Sequence, residues 1–133
     1  MAESLEGLHV LVVDDERDVR NATAHLIRAH GAKVVVAGTA TDALDILELL
    51  AIDVVVSDID MPGHDGFWFI GELRSRPSLS SIPVIAFTGR GDVDRDRISE
   101  AGFTSHVVKT NPAMLLATMK IATTTRGRIS RRL

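Results

Sequence analysis

The 133-residue sequence predicts an α/β domain built on a doubly wound, five-stranded parallel sheet of (βα)5 design. Three observations carry that expectation. Short β-branched runs alternate with segments whose apolar residues step by three and four. The valine runs show no polar alternation, as in strands buried on both faces. The alternation is unbroken, with no repeat, linker or low-complexity tract, so the sheet is parallel and covered by helices on each side.

Taken in order, Val10-Leu11-Val12-Val13 is the first strand and ends in Asp14 and Asp15. Val19, Ala22, Leu26, Ile27 and Ala29 mark a helix closed by Gly31, a residue suited to the left-handed cap. Val34-Val35-Val36 forms the second strand, and Ala43, Leu44, Leu47 and Leu50 the helix after it. Val54-Val55-Val56 is the third strand; it stops at Asp58, and Pro62, Gly63 and Gly66 interrupt regular continuation. Phe67, Ile70 and Leu73 give a helix ending before Pro77, with the three aromatics at 67–69 in core and half-exposed positions. Val84-Ile85-Ala86-Phe87 leads to Thr88-Gly89, and Val93, Arg97, Ile98 and Ala101 to a weaker helix closed by Gly102. Val107-Val108 ends in Lys109, after which Asn111-Pro112 provides an N-cap and a first-turn proline.

Hydrophobic residues at 45% and charged residues at 25% exclude a disordered chain. A net charge of -3 argues against nucleic-acid binding by the domain as a whole. The absence of cysteine rules out disulfides and thiolate metal sites and suits a cytoplasmic protein. Residues 1–7 hold two Glu and no apolar core, unlike a signal peptide, and no apolar run is long enough to span a membrane. One domain is expected over residues 1–125. Residues 126–133, with four Arg and no apolar periodicity, read as a solvated basic tail or, alternatively, as a stub leading to another domain.

Four of the five strands end in chemically useful residues: Asp14 and Asp15, Asp58, Thr88, and Lys109. In a parallel sheet these ends share one edge. The strand order 2-1-3-4-5, flavodoxin-like, sets the first and third strands side by side at the crevice where ligands bind. Asp58 is the candidate nucleophile. An Asp attacking phosphorus is an anion approaching an anion, so the site must supply positive charge. Clustered carboxylates repel unless a divalent cation sits among them, and oxygen-only ligands suit Mg²⁺. Thr88 can donate a hydrogen bond to a phosphoryl oxygen, Lys109 brings a mobile cation, and Gly89 leaves room for the group to enter.

With these residues in view, the sequence resembles the receiver domains of two-component response regulators, of the stand-alone, chemotaxis-regulator kind. Val13-Asp14-Asp15, Asp58 followed by Met61-Pro62-Gly63-His64-Asp65-Gly66, Thr88-Gly89 and Lys109 carry the likeness, which runs from about residue 8 to 119. The resemblance implies phosphoryl transfer from a sensor histidine kinase or a histidine phosphotransfer protein onto Asp58. It implies Mg²⁺ held directly by Asp15 and Asp58, through water by Asp14, and by the backbone carbonyl of Asp60. Thr88 and Lys109 would contact the phosphoryl oxygens. The chain would assist its own phosphorylation and dephosphorylation without being a multiple-turnover enzyme. Switching would occur mainly at the face of the fourth helix, fifth strand and fifth helix, which would bind a downstream protein. Neither nucleic acid nor membrane is an expected partner, and the chain would be a monomer or weak dimer.

Two positions depart from the family pattern. His106 stands where a Tyr or Phe usually swings inward, and its titration is expected to make the switch sensitive to pH. Thr110 stands where proline usually follows the lysine across a cis bond, so the Lys109–Thr110 peptide is expected to be trans. Asp60 and Arg90, each two residues beyond a site residue, are expected to lean over the mouth and tune dephosphorylation. Asp58-Ile59-Asp60 also looks like the acidic pair of a haloacid-dehalogenase-type phosphohydrolase. Chain order weighs against that reading, because there the nucleophile strand comes first and the other acids last. The remaining alternative is a receiver-like adaptor that is never phosphorylated, but none of the key residues is missing.

Overall fold

The computed structural model describes residues 4–89 and 94–130, with side chains described up to residue 124. The chain order is β1 (His9–Val13), α1 (Arg17–Ala29), β2 (Lys33–Ala37), α2 (Ala40–Leu49), β3 (Val54–Ser57), α3 (Gly66–Ser75), β4 (Val84–Thr88), α4 (Arg95–Ala101), β5 (Ser105–Val108) and α5 (Pro112–Ser130). All strand pairs are parallel and the sheet order is β2-β1-β3-β4-β5, as the alternating pattern predicts.

The valine runs lie in the centre because helices cover both faces. One core cluster joins Leu11, Val13, Val55, Val84 and Ala86 to residues of α2, α3 and α4, including Leu44, Phe69, Leu73 and Ile98. The other joins Val10, Val12, Val54, Val56, Ile85 and Val107 to Ile27, Leu115 and Met119 of α1 and α5. Successive strand residues feed opposite clusters, as period-two geometry requires.

Local chemistry sets the helix ends. Thr39 and Asp65 accept hydrogen bonds from the Asp42 and Trp68 amides, capping α2 and α3. Gly102 closes α4 at φ 117°, and the Asn111 side chain accepts from the Met114 amide at the start of α5. Among the described residues no peptide is cis, so Lys109–Thr110 is trans, as expected without proline.

The last helix is the longest element among the described residues. Helix α5 continues through Ser130 and takes up residues 126–130 of the segment read as a tail. Arginine is a good helix former and needs no buried face to extend a helix already nucleated by packing. Residues 131–133 lie outside the described part.

Candidate functional site

Parallel pairing brings the strand ends level. Val13 is in register with Ser57, Ser57 with Ala86, and Thr88 with Val108. The next row up therefore holds Asp14 and Asp58 on adjacent strands. The Asp58 amide donates to the Val13 carbonyl at 2.9 Å, and the Lys109 amide to the Thr88 carbonyl at 2.8 Å. These backbone bonds fix where the side chains begin.

The side chains converge. The Lys109 ammonium lies 2.7 Å from Asp14 Oδ2 and 3.1 Å from Asp58 Oδ2. Asp14 and Asp58 are buried, while Asp15 is the more accessible acid. Carboxylate oxygens of Asp14, Asp15 and Asp58 all lie within 4.8 Å of one another, an oxygen-only set that can hold a hard cation. Thr88 is wholly buried at the end of β4. Gly89 is exposed, and a Cβ there would meet nothing within 4 Å.

Electrostatics follow from this sharing. Burial pushes the Asp58 carboxyl above its ordinary range, and Lys109 only partly offsets it; Asp14 nearby adds to the rise. Burial alone would lower the Lys109 ammonium, but its bonds to Asp14 and Asp58 outweigh burial and raise it. The two directions agree physically: one ammonium gains from two carboxylates, whereas Asp58 must share that ammonium with Asp14.

Several contributors carry no sequence signal. The Ile59 amide donates to Asp58 Oδ1 at 2.7 Å, and the Glu16 amide to Asp14 Oδ1 at 3.0 Å. Any residue but proline brings such a donor. Gly66 is the first residue of α3. A Cβ there would stand 2.6 Å from the Asp58 carbonyl oxygen, so this is a close-approach glycine.

The outlying candidates are further apart. His106 lies on the edge strand and lines a groove of about 490 Å³ between α4, β5 and α5, with Arg95, Phe103, Met114 and Thr118. Its Nε2 is buried without a hydrogen-bond partner, and burial, then Arg95, lowers its pKa below the usual histidine value. Asp60, two residues beyond Asp58, is exposed. Arg90 lies outside the described residues, as does the bridge expected between it and Asp60.

A parallel α/β sheet with a buried carboxylate, flanking acids and a lysine at its carboxyl edge defines the class of phosphorelay signalling domains. The chain matches the family model of the response regulator receiver domain over residues 10–120 and belongs to that family. Receiver domains are signalling phosphoacceptors that work with histidine kinases or phosphotransfer proteins and with downstream targets. An uncharacterized 14.6 kDa protein of Leptolyngbya boryana is 36% identical over 108 residues, covering 80% of this chain and 82% of the relative. The chain spans only 28% and 18% of two further curated relatives. Among solved structures, the chemotaxis protein CheY4 of Vibrio cholerae matches with TM-score 0.80 and 28% identity, over 86% of this chain and 98% of the other. The response regulator TrrA of Thermotoga maritima, solved in complex with Mg²⁺-BeF, matches with TM-score 0.78 and 28% identity over the same shares. Among the described residues no helix is long and apolar enough to cross a membrane.

Proposed function

We propose that Asp58 accepts a phosphoryl group from the phosphohistidine of a sensor histidine kinase or a histidine phosphotransfer protein, and that this switches a protein-binding surface. The observation that carries the reading is the buried Asp58 carboxylate sharing Lys109 with Asp14 at the carboxyl edge of the sheet. An Asp58 oxygen attacks phosphorus as the phosphorus–nitrogen bond breaks; the electron pair returns to the imidazole, which takes up a proton. Lys109 is placed to follow the negative charge from carboxylate to phosphoryl oxygen. Thr88 donates to a second phosphoryl oxygen, and Gly89 leaves the approach free of a side chain.

Asp14, Asp15 and Asp58, with the Asp60 carbonyl, are the groups that would hold Mg²⁺. The all-oxygen donor set fits that ion, and TrrA was solved with it. Bound there, Mg²⁺ neutralises charge shared between the acids and the phosphoryl group. The chain then acts once per phosphoryl group, rather than as a multiple-turnover enzyme, in the cytoplasm and as a monomer or weak dimer. Asp60 and Arg90 tune the lifetime of the phosphoryl group. Faster decay in Asp60→Asn and Arg90→Ala is the expected sign of that role; unchanged decay in both would remove it.

Incubation with acetyl phosphate and Mg²⁺, followed by intact mass, tests the central reading. An adduct of about 80 Da, one phosphoryl group, is expected in wild type and absent in Asp58→Asn. Rapid multiple turnover of the phosphodonor would instead point to a hydrolase.

A further inference from the structure

Arg20, on the first turn of α1, makes an unusual set of contacts. Its Nη1 donates to the backbone carbonyl of Asp14 at 3.0 Å, while its Nε is buried with no hydrogen-bond partner. No ion pair joins Arg20 to a carboxylate among the described residues. A buried guanidinium nitrogen left unpaired is unfavourable, so the sequence keeps Arg20 here against a local penalty. Across from it is Gly38, at the end of β2, where a Cβ would stand 3.1 Å from Arg20 Nη1. Gly38 has no positive φ that demands glycine. What its missing side chain provides is room for the guanidinium.

The carbonyl that Arg20 holds belongs to the peptide joining Asp14 to Asp15. A peptide is planar, so anchoring its oxygen fixes the orientation of the whole unit. The other face of the turn is anchored as well: the Asp14 amide donates to Ala37, and Asp14 Oδ1 accepts from the Glu16 amide. We propose that Arg20, seated in the space left by Gly38, is a positioning residue for the acidic cluster, setting the angle at which Asp14 and Asp15 present their carboxylates to a divalent cation. Groups that orient metal ligands from one shell out commonly change metal affinity by about 10–100-fold when removed. The inference rests on the reading of Asp14, Asp15 and Asp58 as a Mg²⁺ site.

The test is Mg²⁺ binding by calorimetry on the full chain, alongside urea unfolding without metal. Arg20→Met keeps an apolar stem and removes the donor; Gly38→Ala keeps Arg20 and displaces it. About tenfold weaker Mg²⁺ binding is expected in both, with metal-free unfolding midpoints close to wild type in Gly38→Ala. Arg20→Lys, which can still reach the carbonyl, is expected to recover part of the affinity. Mg²⁺ affinity within twofold of wild type in both Arg20→Met and Gly38→Ala would overturn the inference, as would weakening that only tracks lost metal-free stability. Failure of wild type itself to bind Mg²⁺ would instead sink the metal reading beneath it.

Discussion

Lys109 and Asp14, at the ends of the last and first strands and 95 residues apart in sequence, meet at 2.7 Å across the intervening β3 and β4. The Lys109 side chain is 19% exposed and that of Asp14 only 5%, so solvent screens this pair weakly. Removing the ammonium would leave Asp14 and Asp58 facing each other without a counter-charge. Lys109→Met is expected to lower unfolding stability at pH 7 by about 3 kcal/mol, the low end for breaking a buried pair. Lys109 is raised in the fold, so its contribution is fully present below the ordinary lysine value and disappears as pH rises through the raised one. Urea midpoints of wild type and variant that differ by less than about 1 kcal/mol would place the pair among ordinary surface bridges.

Asp58 follows the same direction in a lower pH range. Its carboxyl is raised in the fold, so the stability linked to it is greatest below the ordinary Asp value and is lost as pH climbs through the raised one. At neutral pH without metal, the ionised cluster is therefore a standing strain. Asp58→Asn and Asp15→Asn are each expected to raise the metal-free melting midpoint by a few degrees, about 1 kcal/mol. Adding Mg²⁺ should stabilise wild type by mass action and help the variants less. A metal-free midpoint at or below wild type in both would show that Lys109 already balances the cluster.

His106 gives a third pH dependence, of opposite sign. Its ring is partly buried, with Nε2 unpartnered, and Arg95 is the charged group lining the same groove. A histidine lowered below its usual value favours the neutral ring. The associated stability is present above about pH 6.5 and is lost as pH falls through the lowered value. Protonation likewise opposes an inward-turned ring, so binding of a target by the phosphorylated form is expected to weaken on acidification. His106→Phe should flatten the stability profile between about pH 7 and 5. Parallel profiles for the two proteins would mean that the ring finds solvent or a carboxylate when charged.

Arg74 is a structural counterpart to these site residues. From α3 its Nε donates to the Gly102 carbonyl at 2.9 Å, and its Nη1 to the carbonyls of Ser80 and Ile82 at 3.1 and 2.6 Å. One side chain thus ties α3 to the approach to β4 and to the end of α4, and burial lowers its pKa. Arg74→Met should destabilise the fold by about 3 kcal/mol, roughly that of two hydrogen bonds to a charged group. The acetyl phosphate reaction would be little affected. A loss below about 1 kcal/mol would mean that water replaces these bonds.

How much of this was legible in the sequence depends on how local the signal is. The sheet was legible because runs such as Val10 to Val13 and Val54 to Val56 need burial on both faces, and the site because Asp14, Asp58, Thr88 and Lys109 stand at the ends of four such runs. Arg20 and Arg74 were not. Each is an arginine on a helix, and what it does depends on which carbonyls the tertiary fold brings within reach. The end of α5 carries no sequence signal for a related reason: helix continuation past residue 125 needs no apolar periodicity once packing has nucleated the earlier turns. Gly66 shows the same limit at a single atom. Chain breaking and close approach both call for glycine, and sequence alone does not separate them.

Gly66 is where packing and the phosphoacceptor loop depend on one another most directly. A Cβ at this position would stand 2.6 Å from the Asp58 carbonyl oxygen and 2.7 Å from Ile59 Cα. Both are backbone atoms, so no side chain can rotate away. The Gly66 amide meanwhile donates to the Ile59 carbonyl at 2.8 Å, which holds the start of α3 against that loop. Gly66→Ala must therefore push the Asp58–Ile59 backbone or the first turn of α3 aside. Either movement disturbs the Ile59 amide that donates to Asp58 Oδ1. Helix propensity alone would favour alanine by about 1 kcal/mol, so a net loss isolates the steric effect. The expected outcome is a loss of about 2 kcal/mol, typical of overpacking, with phosphorylation by acetyl phosphate slowed at least tenfold under conditions where the variant stays folded. Gly71, on the same helix with open space around its Cβ position, provides the control: Gly71→Ala should be neutral or stabilising and phosphorylate normally. Equal behaviour of the two variants would show that the loop relaxes around the extra methyl and that the close approach at Gly66 does not govern the site.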